Sequence, residues 1–327
     1  MVVCLLLQYF MSSTIYQGSG CGKLILLGEH AVVWGAPALA TSLPDGAVAT
    51  VSPATDSSHS NLHLKDAQGS TLATLQVNAS GQPLEQSLAA IMDILGVQHP
   101  VTIDATLNVP PGAGLGSSAA LAVAIARALG ELSPKSKVNI FRAVAASEAI
   151  FHGSASGIDQ SAAMGSGLIL FQKGIPPLCS PVESALPLNI AICQAAPGAS
   201  TAAMVTQVLQ QRQTHAKLYE HFQQAITYVV TQAQHALKQK DIQSLGELIN
   251  INHGLLCAMN VSTPKLDAAC HIAREEGALG AKLTGAGGGG CVYALASSQD
   301  QAQHIAQSWK DQGFSAFTTT IQPQELT

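Results

Sequence analysis

The clearest pattern in the chain runs from Val101 to Val109. Val101, Ile103, Ala105, Leu107 and Val109 fall on one side, and Thr102, Asp104, Thr106 and Asn108 on the other. A period of two predicts a half-buried strand. It stops at Pro110-Pro111, because proline has no N–H to give to a ladder. After a glycine-rich turn, Ser118–Leu129 is alanine-rich and almost wholly apolar, which predicts a buried helix. Another helix is expected from about Pro134 to Phe151, with Phe141, Val144 and Ala145 on its apolar face. Extending that face by three and four residues reaches Glu148 and then His152. Gly165–Gln172, Leu188–Gln194 and Cys291–Leu295 read as strands, and long helices fill about 201–260. Thr263-Pro264 is an N-cap with proline at the first helical position, opening a helix that ends near Gly277.

Residues 52–61 are a polar, turn-rich loop, and residues 174–187 carry four prolines. The prolines place a boundary near 185, giving domains of residues 1–185 and 186–327. Strands and helices mix in both halves, so the fold class is α+β or α/β in two domains.

Composition sharpens this picture. The 327 residues suffice for two domains of roughly 150 each. Charged residues make up 11 %, against roughly a quarter in an ordinary soluble domain, and apolar residues 47 %. That excludes disorder, which needs low hydrophobicity and high charge. It raises the question of a membrane protein, but no uninterrupted apolar run approaches the ~18 residues a span needs. A net charge of −5 with no basic stripe excludes a nucleic-acid footprint. The seven cysteines are odd in number and show no C-x-x-C pair, which points to a reducing cytoplasm and suggests neither a disulfide framework nor a zinc site. Met1–Phe10 is apolar but has no basic flank and no A-x-A site. It reads as a start-site extension upstream of Met11, with a disordered tail or a first strand as the alternatives.

Four segments carry candidate chemistry. Gly112, Ala113, Gly114, Leu115, Gly116, Ser117 and Ser118 form a glycine loop between the expected strand and helix. Glycine lets backbone approach a ligand, and a helix start aims unpaired N–H groups at an anion. The loop lacks the Gly-Lys-Ser/Thr of a Walker motif and the third glycine of a dinucleotide fingerprint, so the choice is a phosphate loop or a capped tight turn. The second segment, Gly20–Val33, sets Lys23, Glu29 and His30 in an apolar stretch. In so charge-poor a chain, these either serve a site, pair Lys23 with Glu29, or face water. The third holds Glu148 on an apolar helix face, followed by a Gly/Ser turn and Asp159. A carboxylate on that face suits a cation, whereas Asp159 alone reads also as a loop or N-cap aspartate, the commoner fate of such residues. The fourth is Lys282–Gly290, with five glycines in its last six positions. Stability does not select such a run, so it serves a close backbone approach or a hinge. His59 and His63 are four apart but have no third ligand, and read as surface histidines. No G-x-S-x-G elbow marks a serine hydrolase.

Taken in order, these segments resemble the GHMP small-molecule kinases. They read K-x-x-L-x-G-E-H-A-V-V-x-G, P-P-G-A-G-L-G-S-S-A, E-x-x-x-H-G-x-x-S-G-I-D and K-L-T-G-A-G-G-G-G-C. Within the superfamily, Gly28–Val33 and Leu248–Cys291 are most similar to the mevalonate kinase family, and the resemblance runs from about Gly20 to Leu295. It implies an α+β two-domain GHMP kinase fold: an N-terminal domain like the second domain of ribosomal protein S5, and a ferredoxin-like C-terminal domain. It implies ATP and Mg²⁺ as cofactors, mevalonate as the small-molecule partner and a homodimer, with no nucleic-acid or membrane partner. The family pattern would place the ATP phosphates on Gly112–Ser118 and Mg²⁺ on Ser118 and Glu148. Asp159 would be the base and Lys23 its cationic neighbour. Glu29, His30, Ser156, Thr201, Gly285 and Ala286 would line the substrate pocket. The chain departs from several relatives at Ala199 and Ala202, where they carry arginines, and at Leu107, where some carry a serine. The adenine contact falls in the variable region 45–80 and is not assigned. Rival expectations are a GHMP kinase for another alcohol and a catalytically silent regulator, though Lys23, Ser118, Glu148 and Asp159 are all retained.

Overall fold

The computed structural model describes residues 15–54, 58–132, 139–152, 157–165, 167–174 and 177–325. Met1–Phe10 and the expected helix start at Pro134 lie outside them. The chain divides into two compact units that interleave along the sequence. The first comprises the chain up to Gly22, Pro44–Pro111 and Gly116–Gly165; the second comprises Lys23–Leu43, Gly112–Leu115 and Ser166–Thr327. A single cut near 185 does not describe this division. Strands β1 (Tyr16–Leu27) and β2 (Pro37–Pro53) are long, and each passes from one unit into the other. The proline-rich stretch is no linker either. It contains β7 (Leu178–Pro181), which pairs with β6 (Leu168–Gln172) inside the second unit.

In the first unit, the later part of β2 pairs antiparallel with β5 (Val101–Leu107). Strand β3 (Asn61–Asp66) runs parallel to β5 and antiparallel to β4 (Thr71–Gln76). Val101, Ile103, Ala105 and Leu107 are buried, as their alternation predicts. The helices are α1 (Pro83–Leu95), α2 (Ser117–Gly130), α3 (Ile140–His152) and α4 (Ile158–Ala163). Helix α2 packs against α1, α3, α4 and β5, and every residue in it is buried except Ser117, Ser118 and Arg127. Its small side chains let backbone approach backbone. A Cβ on Gly18 would fall 2.2 Å from the carbonyl oxygen of Ala124, and one on Gly20 would fall 2.1 Å from that of Ala120. The face of α3 differs from its periodicity. Ala143, Val144, Ser147 and Glu148 are buried, whereas Phe141 is 54 % exposed. Phe141 lies in the first turn, where its side chain faces solvent although its carbonyl accepts from Gln160 of α4.

In the second unit, an antiparallel sheet has the order β11-β8-β10-β9. Its strands are β8 (Leu188–Ala196), β9 (Gly280–Leu283), β10 (Gly290–Ala296) and β11 (Ser315–Ile321). Three helices fill the stretch expected to be helical: α5 (Thr201–Thr214), α6 (Ala216–Gln239) and α7 (Ile242–Ala258). The helix α8 (Pro264–Glu275) begins at its Thr263 cap, whose hydroxyl accepts from the Leu266 N–H at 3.4 Å. Strand β10 is buried throughout, covered by α8 and α9 (Gln299–Asp311). Trp309 of α9 is fully buried, and its ring N–H donates to Ala269 of α8 at 2.9 Å. Strand β9 is held by Arg274, which donates to the Ala281 carbonyl at 2.7 Å and to Asn250 Oδ1 of α7 at 2.8 Å.

Gly20→Ala is expected to lower stability by about 1–3 kcal/mol through overpacking against α2. Urea denaturation of the full chain checks it, and an unchanged midpoint refutes the close approach as the reason for this glycine.

Candidate active site

The site is built from turns that need unusual backbone. Gly112, Gly114 and Gly116 have φ of 68°, 85° and 70°, a left-handed region that side chains disfavour. Between them Ala113 and Leu115 turn inward and are buried. Gly116 caps α2, and Ser117 and Ser118 form its first turn, half-buried. The N–H groups of a first turn have no acceptor within their own helix, so this end of α2 suits an anion.

The two glycine-rich segments meet. In the second unit, a Cβ on Gly198 would lie 1.8 Å from the Gly112 carbonyl oxygen, one on Gly290 3.0 Å from that of Ala113, and one on Gly285 3.5 Å from the Cα of Gly114. The late glycines therefore serve close backbone approach rather than a hinge. Thr201, exposed at the first turn of α5, follows Gly198 by three residues.

The same unit holds Lys23, Glu29 and His30. Lys23 is 7 % exposed on β1, and its N–H donates to the Leu115 carbonyl at 2.8 Å, tying β1 to the glycine loop. Gly28 has a φ of 103°, and its N–H donates to Asn252 Oδ1 at 3.3 Å. His30 has a φ of 60° in a non-glycine residue, a conformation costing about 1–3 kcal/mol that clusters at functional sites. Its Nε2 lies 2.8 Å from the Ala286 carbonyl, which joins two residues that the family resemblance would set in one pocket. Burial pulls the His30 imidazole below its usual range and outweighs the opposing pull of the Ala286 carbonyl, so the ring is neutral near pH 7. Nε2 then carries the proton, and Nδ1 is left as an acceptor.

Glu29 feels only a weaker attraction from Lys23. It forms a buried ion pair with Lys282, which also donates to the Leu283 carbonyl at 2.7 Å. Lys282 lies 5.5 Å from the Tyr293 ring centroid. Glu29 is 1 % exposed and Lys282 fully buried. Burial pushes the Glu29 carboxyl up and the Lys282 ammonium down, and their mutual attraction opposes both shifts. Sequence reasoning gave Lys282 no role. The signal was present: a lone lysine at the head of an apolar, glycine-rich run in a chain with few charges.

In the first unit, Glu148 on α3 is 1 % exposed, and Asp159 is half-buried in the first turn of α4 behind Gly157, whose φ is 87°. Helices α2, α3 and α4 pack on one another, so Ser118, Glu148 and Asp159 stand on three mutually packed elements. Gln160 pins α4 to α3 by donating to the Phe141 carbonyl at 2.5 Å. Ser156 lies outside the described residues. A hydroxyl and a buried carboxylate are hard oxygen donors, the set Mg²⁺ prefers.

The GHMP kinase N-terminal domain family matches residues 84–167, and the GHMP kinase C-terminal family matches residues 233–315. A mevalonate kinase of Thermococcus sibiricus is 32 % identical over 94 % of the chain and 96 % of the relative, and that of Pyrococcus abyssi is equally similar. The chain belongs to the mevalonate kinase family of GHMP kinases. Membership makes it an ATP-dependent phosphotransferase acting on an alcohol. The crystal structure of L. major mevalonate kinase in complex with R-mevalonate matches it with a TM-score of 0.82 at 29 % identity, over 96 % of this chain and 98 % of that one. The two-domain α+β fold of this kinase family is thereby established for the chain. Among the described residues, no helix is long and apolar enough to cross a membrane.

Two outcomes follow from the buried groups of this kinase. Lys282→Met leaves the Glu29 carboxylate buried and unpaired, which is expected to cost about 3–5 kcal/mol, while the Glu29→Leu/Lys282→Met double variant recovers most of it. Denaturant titration of both variants checks this. His30 has a depressed folded-state value, so the unfolded chain binds more protons below its ordinary 6.5, and stability falls as pH drops through that region. His30→Gln should flatten that part of the melting-temperature profile.

Proposed function

We propose that the kinase transfers the γ-phosphoryl group of ATP to the 5-hydroxyl of (R)-mevalonate, giving 5-phosphomevalonate and ADP for isoprenoid synthesis. The observation carrying this reading is the buried Glu29-His30 turn, locked to Lys282 and Ala286, in a chain whose relatives are mevalonate kinases. Gly112–Ser118 bind the phosphates through loop and helix-start amides. Ser118 and Glu148 hold Mg²⁺, which when bound neutralises phosphate charge. Asp159 accepts the proton of the 5-hydroxyl as its oxygen bonds to the γ-phosphorus and the bond to ADP breaks. Lys23 offsets the negative charge that develops on the attacking oxygen. Glu29, His30, Ser156, Thr201, Gly285 and Ala286 shape the substrate pocket, with His30 Nδ1 as an acceptor for a substrate hydroxyl. Ala199 and Ala202 bring no cation beside Thr201, so charge neutralisation falls on Lys23, the metal ion and the helix start. A homodimer in a reducing cytoplasm completes the reading.

ADP release with ATP, Mg²⁺ and (R)-mevalonate, phosphomevalonate or galactose tests it. Turnover is expected with mevalonate, and Asp159→Asn should lower kcat by about 10²–10⁴-fold while ATP still binds. Turnover of another alcohol without mevalonate overturns the substrate; an unaffected Asp159→Asn overturns the base.

A further inference from the structure

Helix α7 and the start of α8 bring together three side chains that the proposed phosphotransfer chemistry does not use. His253 and Cys257 are four residues apart on α7 and so share a face. Asp267 lies in the first turn of α8, set there by the Thr263 cap. Cys257 Sγ is 3.6 Å from His253 Nε2 and 3.6 Å from Asp267 Oδ1, and Nε2 is 3.4 Å from Oδ1. Among the described residues this is the one such group of three potential ligands.

Those distances have a specific meaning. A tetrahedral ion with bonds of about 2.3 Å to sulfur and about 2.0–2.1 Å to nitrogen and oxygen has ligand–ligand edges of about 3.3–3.6 Å. The three observed separations are the edges of one face of such a tetrahedron. We propose that His253, Cys257 and Asp267 form a site for a divalent transition-metal ion of the zinc class, distinct from the Mg²⁺ of phosphoryl transfer.

The surroundings hold each ligand in place. Ser262 donates to Asp267 Oδ1 at 2.5 Å, fixing the carboxylate. Cys270 Sγ lies 3.9 Å from His253 Nδ1 and accepts the ring proton when Nε2 turns its lone pair to the ion. In that tautomer the Leu283 N–H, 3.5 Å from Nδ1, gives up its weak contact. His253 is buried, Cys257 half-buried and Asp267 exposed, so the fourth position opens to solvent. A thiolate and a carboxylate match the charge of a divalent ion, and binding releases the Cys257 thiol proton to solvent. Thiolate and imidazole select zinc-class ions over the oxygen-loving Mg²⁺ and Ca²⁺.

Cobalt(II) is the probe. The full chain, freed of metal and without nucleotide, is titrated with Co²⁺ and followed by absorption, then back-titrated with Zn²⁺. One equivalent should give tetrahedral visible bands with a sulfur-to-cobalt charge-transfer band, all removed by Zn²⁺. Cys257→Ala should abolish the charge-transfer band. Asp267→Asn, a conservative change at an exposed position, should weaken Co²⁺ binding by about tenfold or more with an unchanged circular dichroism spectrum. No charge-transfer band at saturating Co²⁺, or a band that survives in Cys257→Ala, overturns the proposal and leaves a hydrogen-bonded helix junction.

Discussion

The second unit is organised around one costly contact, the ion pair between Glu29 and Lys282. Two charges without water are tolerated only when they meet in good geometry. Their meeting requires that the turn after β1 and the strand β9 be brought together accurately. Several contacts do this: Thr284 donates to the Ile25 carbonyl at 3.0 Å, Tyr293 to the Leu26 carbonyl at 2.7 Å, and the Gly28 N–H to Asn252. On the far side, Gly246 and Gly280 let α7 and β9 touch backbone to backbone, since a Cβ on Gly280 would fall 2.2 Å from the Gly246 carbonyl oxygen. The pair thus penalises any other placement of the Glu29-His30 turn. That turn can then carry the strained φ of His30, because its neighbours over-determine it.

The same constraint explains the glycines. Where Gly112–Leu115 runs against Gly198 and Gly290, side chains would press the backbones apart. Removing them brings peptide groups into one small region. Backbone positions are better defined than long side chains, which suits a reaction that depends on placing phosphates and charge.

Low overall charge makes the buried charges informative. Few ionisable groups are available, and Lys23, Glu29, Glu148 and Lys282 are all buried. Burial of that kind is opposed by solvation, so it persists where something binds or pairs. The groups split between the units: Lys23, Glu29 and Lys282 fall in one, and Glu148 in the other with Asp159.

The local pattern by itself determined much of the secondary structure. The alternation of Val101–Leu107, the alanine run of α2 and the Thr263-Pro264 start of α8 appear where periodicity and capping place them, because those rules act within a few residues. The motifs also marked the Gly112–Gly116 turn, the buried Glu29-His30 turn and Glu148 on a buried face. Three things were decided by tertiary structure alone. Glu29 takes Lys282 as its partner across 253 positions of sequence, rather than the nearby Lys23. The units interleave instead of parting near 185, since β1 and β2 belong to both. Asp267 comes to His253 and Cys257 only because α8 folds back on α7. Sequence spacing governs which residues share a face of one element, but which elements meet is set by packing of the whole chain, and no local period encodes it.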